Sequence, residues 1–204
     1  VVDLVRNLGI AAGGTVMEDC RVLEACREGK YTSVLVQTHD KKYVEYRTEH
    51  FVNALGSGAG KLCDSMGIDA GLYPVRHQAF ITRRLPMLGK HGTNLDMLID
   101  RQDYKGFSAV YGQQIAYTGQ IIGCASPKLD AMRIDKNLKV NTKAFLEIVS
   151  EMFSEWIPDL AGVGIQAVWA GYYTEPRYIV DPELGLFVGM RGHGFMLSQY
   201  IARM

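Results

Sequence analysis

With 204 residues, 48% of them hydrophobic, the chain is long enough for one large domain or two small ones and apolar enough to bury a core. Lysine plus arginine and aspartate plus glutamate both number 22, so the formal net charge is zero, no field gathers polyanions, and nucleic acid is not expected as a partner. The four cysteines, at 20, 26, 63 and 124, lack zinc-site spacing and disulfide density, and neither a charged-then-apolar leader nor a run of about eighteen apolar residues is present, so a cytoplasmic protein with free thiols and no transmembrane segment is expected.

Residues 1–8 read as the middle of an amphipathic helix, with no initiator methionine and no cap before it, as in a fragment or one piece of a split protein. Gly13-Gly14 ends that helix. Residues 15–25, 33–38 and 43–48 are β-rich and separated by Glu28-Gly29 and Asp40-Lys41-Lys42, which predicts a small antiparallel meander. Residues 51–55 form a short apolar run of the kind found in strands buried on both faces, and 58–67 read as a helix packed on it. Residues 72–82 and 109–125 are again β-rich, with Tyr, Val, Ile and Phe interleaved with Gln, Thr and Gly, as in an antiparallel sheet with one covered face. Asn141 can cap a helix in which Phe145, Ile148, Val149, Met152, Phe153, Trp156 and Ile157 follow the i, i+3, i+4 rule up to Pro158. Residues 164–173 and 185–188 read as strands, and 195–203 as a helix after a glycine turn that returns the chain to its first layer.

Two glycine-rich turns stand out. Gly56-Ser57-Gly58-Ala59-Gly60-Lys61-Leu62 fails as a dinucleotide fingerprint, because Lys61 stands where the third glycine belongs. As a phosphate loop it fails twice, at Leu55 and at Leu62, so a nucleotide-hydrolysing enzyme is a distant third reading. What remains is either a plain strand-to-helix connection or a place where backbone approaches a ligand closely. In the second turn, Gly192-His193-Gly194, a helix start presents N–H groups and a partial positive charge to an electron-rich edge, although a lone histidine there is more often structural. The histidines at 39, 50, 77, 91 and 193 form no H-x-x-x-H pair, so no metal site is expected, and no G-x-S-x-G elbow appears. Nothing in the chain supplies electrons, so redox chemistry here would need a cofactor.

The segment 45–62, then Leu72-Tyr73-Pro74-Val75-Arg76-His77-Gln78, then Trp169-Ala170-Gly171-Tyr172-Tyr173, then Gly189-Met190-Arg191-Gly192-His193-Gly194-Phe195-Met196 together resemble the D-amino-acid-oxidase-like flavoprotein family, which includes glycine and sarcosine oxidases and dye-linked proline dehydrogenases. The resemblance implies FAD as cofactor and a mixed α/β fold: an incomplete Rossmann-like FAD-binding layer plus an antiparallel-sheet substrate domain with flanking helices. Residues 1–70 would be part of the FAD-binding domain, 71–176 the substrate domain, and 177–204 the return to the first. The chain looks like the C-terminal two thirds of such an enzyme, without the G-x-G-x-x-G unit. It would then need that N-terminal segment or subunit as a partner and bind FAD weakly or not at all alone. An oligomer is possible on the same pattern.

By the family pattern Val22 would lie beside the adenine and Ala54, Gly56 and Gly58 along the cofactor. Gly192, His193, Gly194, Phe195 and Met196 would lie near the isoalloxazine ring, which the two glycine turns jointly embrace. Tyr173 stands where glycine-oxidase-like relatives place a carboxylate-clamping arginine, and it offers one hydrogen bond in place of a charged fork. This departure points to a secondary or cyclic amine, with Tyr173, Arg191 and His193 as catalytic candidates. Arg191 or Arg76 could take the substrate carboxylate, the alternative for each being a structural or exposed arginine. Tyr111, Tyr117, Tyr172 and Trp169 either line a pocket or belong to the core. The activity implied is hydride loss from an amine or amino acid to flavin; the alternative is a non-catalytic binding subunit that docks on a separate flavin-binding chain.

Overall fold

The computed structural model describes residues 2–89, 92, 94–102, 107–127, 142–175, 179–181, 185–190 and 192–203. The chain divides into two compact units, one of residues up to Gly71 together with Ile179–Val188, the other of Leu72–Tyr178 together with Gly189–Arg203.

In the first unit α1 (Val2–Ala11) ends at Gly13, which takes a φ of 91° that suits glycine. The expected strand over 15–25 starts late. Asp19 lies in the left-handed region at φ 54°, which breaks an extended run, and β1 (Arg21–Glu28) begins beyond it. β1 pairs with β2 (Tyr31–Gln37) and β2 with β3 (Tyr43–Thr48), all antiparallel, giving the meander that the turn residues predict. Ala25, Val34 and Val36 pack against Leu62 of α2 (Ala59–Ser65), and the Ser65 hydroxyl accepts from the Ala25 N–H at 3.1 Å, tying helix to sheet.

Residues 51–55 correct the sequence reading: they do not form a strand buried on both faces. Val52 and Leu55 are exposed, and only Asn53 bridges, its N–H donating to the Gly185 carbonyl at 2.7 Å. The Asn53 side chain takes over where a ladder would be. Its Nδ2 donates to the Ala59 carbonyl at 3.1 Å and its Oδ1 accepts from the Leu55 N–H at 3.3 Å, which folds the segment into a turn. A 3₁₀ turn, Gly56–Gly58, then leads into α2.

The second unit is built on β4 (Tyr73–Thr82), β5 (Leu98–Asp100), β6 (Phe107–Gln114), β7 (Ile121–Pro127) and β8 (Ile165–Glu175). They form one antiparallel sheet in the order β5-β6-β7-β4-β8. The β-rich run at 109–125 splits into β6 and β7 around a turn in which Gly119 has a φ of 67°. The short strand β5 has no sequence signal; the Trp156 indole N–H donates to an Asp100 carboxylate oxygen at 3.0 Å and holds it to α3 (Thr142–Trp156). Asn141, the expected cap of α3, lies outside the described residues. Phe145, Ile148, Val149, Met152 and Phe153 form the buried stripe of α3 and close over Phe80, Val110, Ile121 and Ala125 on one face of the sheet. Pro158 opens a 3₁₀ turn, Pro158–Leu160, where the helix stops.

Beyond β8, β9 (Ile179–Asp181) pairs antiparallel with β10 (Leu186–Val188) in the first unit, and α4 (Gly194–Ile201) falls in the second. The described residues thus make a mixed α/β chain of four helices and antiparallel sheets. No described helix is long and apolar enough to cross a membrane.

Candidate functional site

Alternation along β4 sends Gln78, Phe80 and Thr82 toward the α3 core, each fully buried, and His77 and Ala79 to the opposite face. On that second face α3 is absent, and the sheet forms an open pocket of about 290 Å³. β8 contributes Trp169, Gly171 and Tyr173, every second residue, and β6 and β7 contribute Tyr111 and Cys124. The strand register fixes their order. Tyr111 pairs with Cys124, Cys124 with Ala79, and Ala79 with Trp169, while His77 pairs with Gly171. Two aromatic residues therefore flank a floor of small ones.

Tyr173 is the centre of this arrangement. The His77 ring stacks on it with centroids 3.9 Å apart at 28°. Tyr111 lines the same pocket as Tyr173 and Cys124, and burial, with those two neighbours adding, pushes its phenol far above the ordinary range. Burial also raises the Cys124 thiol. His77, only 9% exposed, is lowered to about 4 by burial, so at neutral pH the imidazole, phenol and thiol in the pocket are all uncharged.

The His77 shift has a stability consequence of fixed sign. An imidazole titrates near 6.5 in the unfolded chain and about 4 in the folded one. Between those values the unfolded state binds more protons, so stability falls as pH drops through that window and is unaffected by this group above it. The loss amounts to about 3 kcal/mol by pH 4. His77→Gln should remove a share of that size from the acid loss, read as the difference between wild-type and variant urea midpoints at pH 7 and pH 4; parallel curves would contradict the assignment.

Gly192 joins the pocket to the second glycine turn. Its φ is 84°, and a Cβ placed there would overlap the Tyr173 ring. The turn leads into α4, whose N-cap His193 makes no side-chain capping bond and is exposed, while Phe195 and Met196 in the first helical turn are each 70% exposed. In the first unit Ala54, Gly56 and Gly58 are exposed, Gly56 has open space where a Cβ would stand, and Val22 is half-buried beside Ala25 and Val34. The start of α4, where His193 gives no side-chain capping bond, lies beside exposed apolar side chains, an arrangement suited to an apolar ring with an electron-rich edge.

The other sequence candidates divide. Tyr111 and Trp169 line the pocket. Tyr172 and Arg76 are register partners, and alternation puts both on the other face of the sheet. Tyr117 is 83% exposed and lines a separate depression with Gly89 and Asn94. Arg191 lies outside the described residues. Sequence reasoning passed over His77, Cys124 and Gly171 as site residues. The two-residue spacings from Trp169 to Tyr173 and from His77 to Ala79 are the signal that could have found them.

Residues 1–204 match the family model described as FAD dependent oxidoreductase. Among solved structures the chain is similar to L-proline dehydrogenase from P. horikoshii, at 26% identity and a TM-score of 0.69, covering 96% of this chain and 50% of that one. Glycine oxidase from Geobacillus kaustophilus shares 19% identity at a TM-score of 0.67, over 95% of this chain and 49% of that one. Iminodiacetate oxidase from Chelativorans sp. BNC1 shares 14% identity at a TM-score of 0.67, over 97% and 50%. The chain spans about half the length of these structures. No curated protein matches the sequence.

Proposed function

This chain belongs to the FAD dependent oxidoreductase family, and from that premise we propose that it serves the oxidation of the C–N bond of an amino acid or secondary amine. FAD, when bound, would supply the two-electron acceptor for hydride from the carbon next to the substrate nitrogen, leaving an imine, once the nitrogen has lost its proton, for water to hydrolyse. The chain's own part is to bind and orient. The pocket on the open sheet face would hold the amine between aromatic walls, and the Tyr173 hydroxyl could donate one hydrogen bond to it. Arg191 would take a substrate carboxylate, and His193 would lie near the reacting atoms. Gly192, Gly194, Phe195 and Met196 would hold the ring portion of FAD, with the α4 N-terminus favouring negative charge on it. In the first unit Val22, Ala54, Gly56 and Gly58 are assigned to cofactor contact.

One observation carries this reading: Tyr173, a wall of the pocket, is also the residue against which Gly192 of the glycine turn rests, so a substrate pocket and a cofactor-suited turn share one side chain. The likeness to proteins named proline dehydrogenase and iminodiacetate oxidase supports a secondary amine. Isolated, the 204-residue chain should carry no stoichiometric flavin by absorbance. Combined with a polypeptide bearing the G-x-G-x-x-G unit, it should hold flavin and reduce dye with proline or sarcosine, and Gly194→Val should abolish that turnover. A stable but inert complex would favour a binding subunit instead, and undiminished turnover in the variant would remove the turn from the site.

A further inference from the structure

The glycine turn of the first unit, residues 54–58, owes its shape to a neighbour. Apart from Ser57 these residues carry no polar side chain, and Gly56 and Gly58 leave the segment free to take many conformations. What the turn offers a ligand is therefore backbone, which serves only where it is held in place. Ala54, Leu55, Gly56 and Gly58 are exposed and open to approach, whereas the side chain that holds them, Asn53, is 1% exposed. Its Oδ1 accepts from the Leu55 N–H at 3.3 Å, and its Nδ2 donates to the Ala59 carbonyl at 3.1 Å and to the Cys63 sulfur at 3.5 Å. Ala59 and Cys63 are fully buried in α2, so the amide is anchored to the helix and faces away from solvent. The Leu55 carbonyl in turn accepts from the Gly58 N–H at 3.0 Å and closes the turn. Through its own N–H, bonded to the Gly185 carbonyl at 2.7 Å, Asn53 also joins the turn to the connection between β9 and β10, where a Cβ on Gly185 would overlap the Phe51 carbonyl.

We propose that Asn53 is a positioning residue for the cofactor, its buried amide setting residues 54–58 in their receiving conformation before the cofactor arrives. The inference rests on the reading of Ala54, Gly56 and Gly58 as cofactor contacts and adds what holds them. Asn53 itself touches no ligand, because its side-chain donors and acceptor are occupied within the chain. It acts through the turn. A binding segment that is competent only part of the time binds with an affinity reduced by that fraction, and a segment fixed beforehand avoids the loss. Removing the amide should therefore show as weaker cofactor binding, beyond what the lost stability alone produces.

Asn53→Ala and Asn53→Ser test this against Ser65→Ala, which removes bonds of the same kind from the far end of α2, where the Ser65 hydroxyl accepts from the Ala25 N–H and donates to the Leu62 carbonyl at 2.7 Å. In the isolated chain the Leu55 and Gly58 amides should exchange with deuterium about tenfold faster in Asn53→Ala and at the wild-type rate in Ser65→Ala. With the chain complemented by a polypeptide bearing the G-x-G-x-x-G unit, flavin fluorescence titration should show FAD bound about tenfold more weakly by Asn53→Ala. Asn53→Ser, whose hydroxyl can accept from the Leu55 N–H but is too short to reach Ala59, should lose about threefold, and it carries the test if the alanine variant does not fold. Ser65→Ala should stay within about twofold of wild type. Equal FAD affinity in the Asn53 and Ser65 variants, or unaltered exchange at Leu55, would overturn the inference and leave the cofactor reading standing. A wild-type complex that holds no FAD removes the cofactor reading itself, and this inference with it.

Discussion

Gly192→Ala is expected to destabilise the chain by about 3 kcal/mol, far more than a methyl group usually costs at a surface turn. Two costs combine. An alanine held at a φ of 84° meets the left-handed penalty of about 1 kcal/mol, and its Cβ overlaps the Tyr173 ring, which is itself stacked on His77 and has nowhere cheap to move. The second cost belongs to a pair, so a double-mutant cycle separates it. In a Tyr173→Ala background the same substitution should cost only about 1 kcal/mol, leaving a coupling of about 2 kcal/mol in urea unfolding. A coupling within about 0.5 kcal/mol of zero would mean that the turn does not rest on the ring. The measurement needs no cofactor, so it tests the geometry apart from the chemistry assigned to it.

What the residues disclosed before any coordinates follows from how local each signal is. β3 and the buried stripe of α3 were legible because β-rich residues bounded by turn signals, and the i, i+3, i+4 rule, are properties of one segment. Residues 51–55 misled because an apolar run was read as a strand without asking what would pair with it; Asn53 settles the matter locally by bonding Ala59 and Leu55. Similarly, β5 has three residues and depends on a distant partner, Trp156, which no window of sequence contains. The pocket is hidden for a related reason. Tyr111, Cys124, Ala79 and Trp169 form one row only after four strands adopt the order β6-β7-β4-β8, and His77, read alone, is a histidine without a metal partner.

The same sheet that opens the pocket on one face must be held rigid from the other, and Phe80 is the side chain that does so. It is fully buried, meets Phe153 edge-on at 5.6 Å and Phe145 at 6.0 Å, and lies where a Cβ on Gly123 would collide with it. Adjacent to it in β4, Ala79 forms the pocket floor, so the position of that floor depends on the packing beneath. Phe80→Ala removes the ring from between α3 and the sheet and should cost about 4 kcal/mol, the usual size for an aromatic deleted from a closed core. For a chain of this length that corresponds to a thermal midpoint about 10 °C lower. Phe80→Leu, which keeps most of the volume, should recover more than half of the loss. If Phe80→Ala shifted the midpoint by less than about 3 °C, the ring would not be the element that braces the pocket against α3.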